Sequence, residues 1–193
     1  MGAAMGKTLY SLIVLTLLTV AGGSLAPVTL RWGHRTLLKV RARALWGRAC
    51  SVGLPARNGA PDAWLSIPSC GIEAMVLKGA SKANLEKSIC METLSDEGDQ
   101  KFRILSGHRD THFRRLRQLG TGSEVTLEHL DGSTTRYRVV DIDSVARDGL
   151  ARYFANQRNR EWIALLTCYP FRFIGPAPER FIAWAAPVAA GVN

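Results

Sequence analysis

From Ala63 onward the chain consists mainly of short apolar runs separated by turn signals. "AWLSIPS" and "IEAMVLKGA" read as two strands joined around Cys70-Gly71, and "KFRILSGH" reads as a strand ending on a turn. "SEVTLEHLDGSTTRYRVVDIDSVA" holds two alternating runs around Asp131-Gly132, a strong hairpin signal. "IALLTC" and "ERFIAWAAP" complete the set. Pro170 lacks a backbone donor, so the first of these should end near Cys168. Helical spacing is limited to three places. They are "SKANLEKSICMETL" with Ser81 as its cap, "THFRRLRQL" with Phe113, Leu116 and Leu119 facing inward, and part of "RDGLARYFANQRNREW". About seven or eight short strands with hardly any long helix predict a mainly-β fold, a barrel or a sandwich.

The N-terminal sixty or so residues follow a different pattern. Leu9 to Leu30 contains no charged residue over 22 positions, enough to cross a hydrocarbon core of ~30 Å. Lys7 precedes it, so a cleaved signal peptide and an uncleaved anchor both fit. Pro27 directly after the small-residue site "SLA" disfavours cleavage, and residues 1–30 are read as an anchor. Residues 31–62 then read as a basic amphipathic helix followed by a Pro/Gly-rich linker, "SVGLPARNGAPDAW". In that helix Trp32, Leu37, Leu38, Val40, Leu45 and Trp46 are expected to meet lipid while the arginines meet headgroups. Residues 63–193 form the folded domain.

Charge changes the picture in one respect. The formal net charge is +9, yet eight of the 25 Lys and Arg lie in residues 1–61, where there is no Asp or Glu. The rest of the chain sets 17 basic residues against 16 acidic ones and is close to neutral. The basic balance therefore belongs to the N-terminal arm, and no nucleic-acid partner is expected. The positive-inside rule, taken alone, would put this arm in the cytoplasm.

Cys50, Cys70, Cys90 and Cys168 form no C-x-x-C pair, which argues against zinc ribbons and redox motifs. A Cys70–Cys90 disulfide is open to an oxidising compartment, although small buried or surface thiols are the simpler reading for both. The acidic residues form no metal-like constellation, so no metal is expected, and a thiol that supplies covalent chemistry itself would need no cofactor. His108 and Cys168 both sit where an apolar strand ends and a turn begins. Such a pair can supply a thiolate and a proton donor for a leaving amine. Arg180, opening "ERFIAWA", enters the same rim if its strand runs antiparallel to that of Cys168, and its fixed charge suits an oxyanion. Each residue alone also has a structural explanation: a hydrogen-bonded histidine, a small core thiol, an edge charge. Asp110 is read as a helix cap ahead of a partner for His108. Arg109 and the Arg114, Arg115, Arg117 run are read as a solvated face, and His112 and His129 as structural.

"LSGHRDTHFRRL" together with "LLTCYPF" and "ERFIAWA" resembles the sortase family of cysteine transpeptidases, and in particular the proteobacterial group called class GN. The resemblance extends to the N-terminal apolar segment, the Trp-containing helix, "WLSIP" and "VLKGAS". Two departures stand out: "LEKSICMETLSDEGDQ" replaces a Gly-Pro-Gly element, and "IGPAPER" replaces a Gly-Gly before the arginine. The resemblance implies an eight-stranded sortase-type β-barrel with short helices. It implies His108, Cys168 and Arg180 as catalytic residues, with Thr167 and Arg180 contacting substrate. It further implies cleavage of an LPXTG-like sorting signal on a secreted protein, through a thioacyl-enzyme resolved by an amine acceptor or water. Such an enzyme would be a single-pass protein of the inner membrane with its catalytic domain on the outer, periplasmic face, against the charge rule. The other readings are a different membrane-anchored cysteine peptidase or transpeptidase, and a non-catalytic β-domain that binds a partner.

Overall fold

The structure is a computed structural model that describes residues 41–51, 57–95, 101–155 and 161–189. The expected anchor, residues 1–30, and the start of the basic segment lie outside the described residues. Among the described residues no helix is long and apolar enough to cross a membrane.

Eight strands close into a barrel. They are β1 (Pro61–Ile67), β2 (Ile72–Lys78), β3 (Ile89–Ser95), β4 (Lys101–Ser106), β5 (Glu124–His129), β6 (Thr134–Ala146), β7 (Ile163–Tyr169) and β8 (Glu179–Pro187). Their order around the barrel is β1-β2-β3-β4-β7-β8-β6-β5, and β5 pairs back onto β1. Two neighbouring pairs, β2 with β3 and β4 with β7, are parallel; the rest are antiparallel. The β5–β6 hairpin turns where its sequence says it should, with Gly132 at φ 81°, a left-handed position that costs glycine nothing.

Strand alternation fills the interior. Leu65, Ile67, Val76, Ile89, Leu105, Leu127 and Leu165 are fully buried within one core cluster. The barrel's end is closed by the segment after β4, where Arg114–Gln118 forms a 3-10 turn. Phe113, Leu116 and Leu119 drop into the core there while Arg114, Arg115 and Arg117 stay outside. Asp110 does not cap this turn, which has no side-chain cap.

The expected helix over "SKANLEKSICMETL" is one turn, α2 (Lys82–Leu85); helix α1 is the stretch 41–51. Ser81 does cap α2, accepting from the Asn84 backbone N–H at 3.3 Å. The remainder becomes β3, because Ile89 and Met91 alternate into the barrel core and β4 supplies the ladder. Burial of one face of a strand outweighs the weak helical spacing.

Some strands are apolar on both faces, and α1 and α3 (Leu150–Ala155) supply the reason. Ala164, Ile182 and Trp184 point outward from β7 and β8 and are covered by Phe154 of α3 in a second cluster. On the other side Trp64 points outward from β1 beneath the Arg43 guanidinium, 4.8 Å from its ring. Trp46 of α1 is 1 % exposed, and its indole N–H donates to Glu128 Oε1 at 3.0 Å. Arg43 Nη2 meets Glu128 Oε2 at 2.6 Å. The expectation that Trp46 meets lipid is thereby corrected: its side chain docks on the barrel, while the neighbouring Leu45 is exposed.

Burial pushes the Glu128 carboxyl up, but the Trp46 and Arg43 hydrogen bonds outweigh it and hold the group below the usual carboxylate range. The docking contribution is therefore full at neutral pH and is lost as pH falls through that lowered value. Trp46→Phe is expected to cost about 1 kcal/mol, the loss of one hydrogen bond to a partly exposed charge. Chemical denaturation at pH 7 checks the size. The difference from wild type should shrink at low pH.

Candidate active site

The β4, β7 and β8 strands lie side by side, and the ends that carry the chemistry-bearing residues lie at one end of the barrel. On β7 and β8, Cys168 pairs directly with Arg180. Directly opposed residues share a face, with Cβ atoms ~5 Å apart. That face is the outward one: Ala164 and Leu166 precede Cys168 on it, and Ile182 and Trp184 follow Arg180. The apolar cluster under α3 ends just short of the pair. Cys168 and Arg180 are left half-buried, reachable from solvent but standing on a rigid floor.

His108 reaches the same place by register. The parallel β4–β7 ladder ends with Ser106 paired to Leu166, so His108 lies two residues past that pair on one chain and Cys168 two past it on the other. The approach continues beyond the ladder. Gly107 N–H donates to the Leu166 carbonyl at 3.2 Å, and Thr167 Oγ1 donates to the Gly107 carbonyl at 2.7 Å. His108 itself is exposed, and its carbonyl accepts from Phe113 N–H at 3.0 Å. Gly107 has a packing reason as well: a Cβ there would lie 2.8 Å from the Phe113 ring, the same ring that seals the barrel.

Thr167, expected to contact substrate, stands one position before Cys168 on β7. Strand alternation turns it to the interior face, 3 % exposed, and its hydroxyl ties the cysteine strand to the histidine strand. Arg109, expected to be solvated, spans to the β7–β8 connection. Its Nη1 donates to the Pro170 carbonyl at 3.0 Å, and its Nη2 to those of Phe173 and Gly175 at 2.7 and 3.2 Å. The guanidinium also lies 5.8 Å from the Phe173 ring centre. Arg180 Nη1 donates to the carbonyls of Ala177 and Glu179 at 3.2 and 2.8 Å.

The other candidates stay structural. Cys70 and Cys90 are buried and unpaired, and burial pushes both thiols up, Cys90 to about 11. No disulfide joins them. Burial, followed by the charge of His108, pushes His112 below the usual histidine value. Tyr169 and Phe171 stack edge-to-face, 5.8 Å apart, against the core. Among the described residues no group of His, Cys, Asp or Glu could hold a metal ion.

A family model described as the Sortase domain matches residues 65–188, a stretch that contains all of these positions. The chain belongs to the sortase family. Sortase D of Bacillus subtilis is 34 % identical over 132 residues, which cover 68 % of this chain and 66 % of that protein. Among solved structures, sortase C1 of Streptococcus agalactiae is 26 % identical with a TM-score of 0.54, covering 66 % of this chain and 67 % of that one. Clostridium perfringens sortase C, solved with a C-terminal cell wall sorting motif, has a TM-score of 0.57 at 20 % identity, covering 79 % and 88 %. This sortase thus has the eight-stranded barrel expected of it.

One further feature of the sortase shelf was not visible in the sequence. Tyr153 of α3 accepts from the Trp184 indole N–H at 2.9 Å and donates to Asp143 Oδ2 at 2.6 Å. Burial, together with the Asp143 carboxylate, pushes this phenol up to about 12, so it remains a donor at every working pH. The network pins α3 across β6 and β8. Tyr153→Phe removes both bonds and is expected to destabilise the domain by about 1–2 kcal/mol. Loosening of α3 should show as faster amide exchange over Leu150–Ala155 than over β7.

Proposed function

We propose that this sortase cleaves an LPXTG-like sorting signal of a secreted protein and transfers the acyl part to an amine acceptor, or to water. Cys168 sulfur attacks the Thr-Gly carbonyl and forms a C–S bond. Arg180 donates to the oxyanion that develops. As the C–N bond breaks, His108 gives its proton to the departing amine, leaving a thioacyl-enzyme. The acceptor amine then attacks the thioester, returns a proton to His108 and releases the cysteine sulfur. The observation that carries this reading is the pairing of Cys168 with Arg180 across β7 and β8, and His108 follows two residues after the Ser106–Leu166 pair of the β4–β7 ladder. A hydrogen-bond donor opposite the nucleophile is what acyl transfer requires, and a permanently charged guanidinium serves at any working pH.

Exported substrates require the domain outside the cytoplasmic membrane, with residues 1–30 as its tether and the catalytic domain on the periplasmic side in an inner-membrane protein. Among sortases, the "GHRDTHF" and "TCYPF" blocks favour assignment to class GN.

Incubation with peptides bearing sorting-type signals, followed by intact mass measurement, tests the chemistry. The expected product is a single adduct on Cys168 with the mass of the peptide N-terminal to the scissile bond. Cleavage without that adduct, or protease protection placing the domain in the cytoplasm, would overturn the proposal.

A further inference from the structure

We propose that Arg109 is a positioning residue that fixes His108 against Cys168 by clamping the connection between β7 and β8. The inference rests on the catalytic reading above. It starts from where the chain goes after each member of the set. His108 is followed at once by Arg109; Cys168 is followed by Tyr169 and the connection 170–178, which delivers Arg180. One side chain, Arg109, therefore joins the segment carrying the histidine to the connection that links the other two.

The connection needs such a clamp. Phe171 holds its start by packing on Phe181, with ring centres 5.1 Å apart. Its end is held by buried Ala177 and by Arg147 N–H donating to the Pro178 carbonyl at 2.9 Å. Between these, Arg172 to Pro176 are all exposed, Ile174 completely so. Exposed residues contribute little burial energy to hold a loop. What fixes this stretch is the Arg109 fork, which reaches the carbonyls of Pro170, Phe173 and Gly175 through two nitrogens and lies against the Phe173 ring. These acceptors are spread over six residues, 170 to 175. A planar guanidinium with five donors can join them, whereas an ammonium offers one nitrogen.

The clamp acts in both directions. It draws the loop toward the end of β4, and it holds the turn containing His108 toward the end of β7, beyond the last ladder pair of Ser106 and Leu166. The main chain ties His108 through its carbonyl, which accepts from the N–H groups of Thr111 and Phe113 at 3.4 and 3.0 Å, and leaves its side chain exposed. A loose His108 meets the sulfur and the leaving amine less often. Misplacement by ~1 Å can cost up to ~100-fold in rate.

The test uses two readouts on the full chain carrying Cys50→Ala, since Cys70 and Cys90 are buried. The first needs no substrate: the rate of Cys168 alkylation by iodoacetamide across pH in wild type, His108→Ala, Arg109→Ala and Arg109→Lys. The charged and titratable groups near the pair are Arg180 across from Cys168, Glu179 beside it, and Asp110 and His112 near His108, and all are retained. The second is kcat and KM on a cleaved peptide. Wild type should show a His108-dependent step in its alkylation profile. Arg109→Ala should move that profile toward the one for His108→Ala and lower kcat by ~10- to 100-fold, with KM changed less. Arg109→Lys should fall between. A melting scan accompanies each variant, and if Arg109→Ala does not fold, Arg109→Lys and Arg109→Gln carry the same comparison. An Arg109 variant with the wild-type profile and kcat overturns the positioning role, whatever happens to its melting temperature. A His108→Ala profile identical to wild type overturns instead the Cys-His reading on which this one rests.

Discussion

Cys168→Ala is expected to leave the barrel intact and to lower kcat/KM on a sorting-type peptide by ~10⁴-fold or more. The two halves of this result have separate physical causes. Cys168 is half-buried on the outward face at the very end of β7, so its sulfur contributes little to either core cluster. Its backbone pairs with Arg180 in the ladder whatever the side chain. Stability should therefore stay within ~0.5 kcal/mol of wild type. The chemistry has no such reserve. Without the thiol no thioacyl-enzyme forms, and what remains is attack by water near the Arg180 charge, a poor substitute for a covalent route. Cys168→Ser should lie close to the alanine variant, because an alcohol is hardly ionised where a thiol ionises readily. Initial rates from a quenched peptide, with melting curves for each variant, check both halves. Undiminished turnover in Cys168→Ala would transfer the chemistry to another group and end the proposed mechanism.

Most of the barrel was legible from pattern because its strands obey simple rules. The hairpin at Asp131-Gly132, the end of β7 near Pro170 and the inward row of Phe113, Leu116 and Leu119 follow from turn chemistry and periodicity. The misreadings share one cause, contacts between segments distant in sequence. The run containing Ile89 and Met91 is helical by spacing but is drawn into the barrel by β4. Trp46 has the composition of a membrane-facing residue, and only Glu128, 82 positions away, shows why it turns inward. Arg109 stands among solvated arginines and differs from them by its acceptors 61 to 66 residues downstream. At Thr167 strand parity carries the information, from the core residues Ile163 and Leu165. Counting inward from those two residues places Thr167 inside and Cys168 outside.

Arg180→Ala is expected to reduce kcat by ~10²- to 10³-fold, the usual cost of losing one oxyanion donor. Geometry argues for a role on the oxyanion rather than on the thiolate. The guanidinium is already held by its own main chain: Nη1 donates to the Ala177 and Glu179 carbonyls. Those bonds orient the fork at the start of β8 and, among the described residues, use only one of its nitrogens, so Nη2 and Nε are left for a developing negative charge. A donor that needs no reorientation when the charge appears lowers the barrier without tightening ground-state binding, so KM should change much less than kcat. Arg180→Lys should recover only part of the rate, since an ammonium cannot keep the two carbonyl bonds and also present a separate nitrogen to the oxygen. Alkylation of Cys168 separates the two roles. A group that stabilises the thiolate speeds reaction with iodoacetamide, whereas a group that waits for the oxyanion does not. Arg180→Ala should therefore alkylate within a few-fold of wild type while its acylation by peptide collapses. If both rates fell in parallel, the positive charge would be acting on the sulfur, and the shelf beside Cys168 would need another donor for the tetrahedral intermediate.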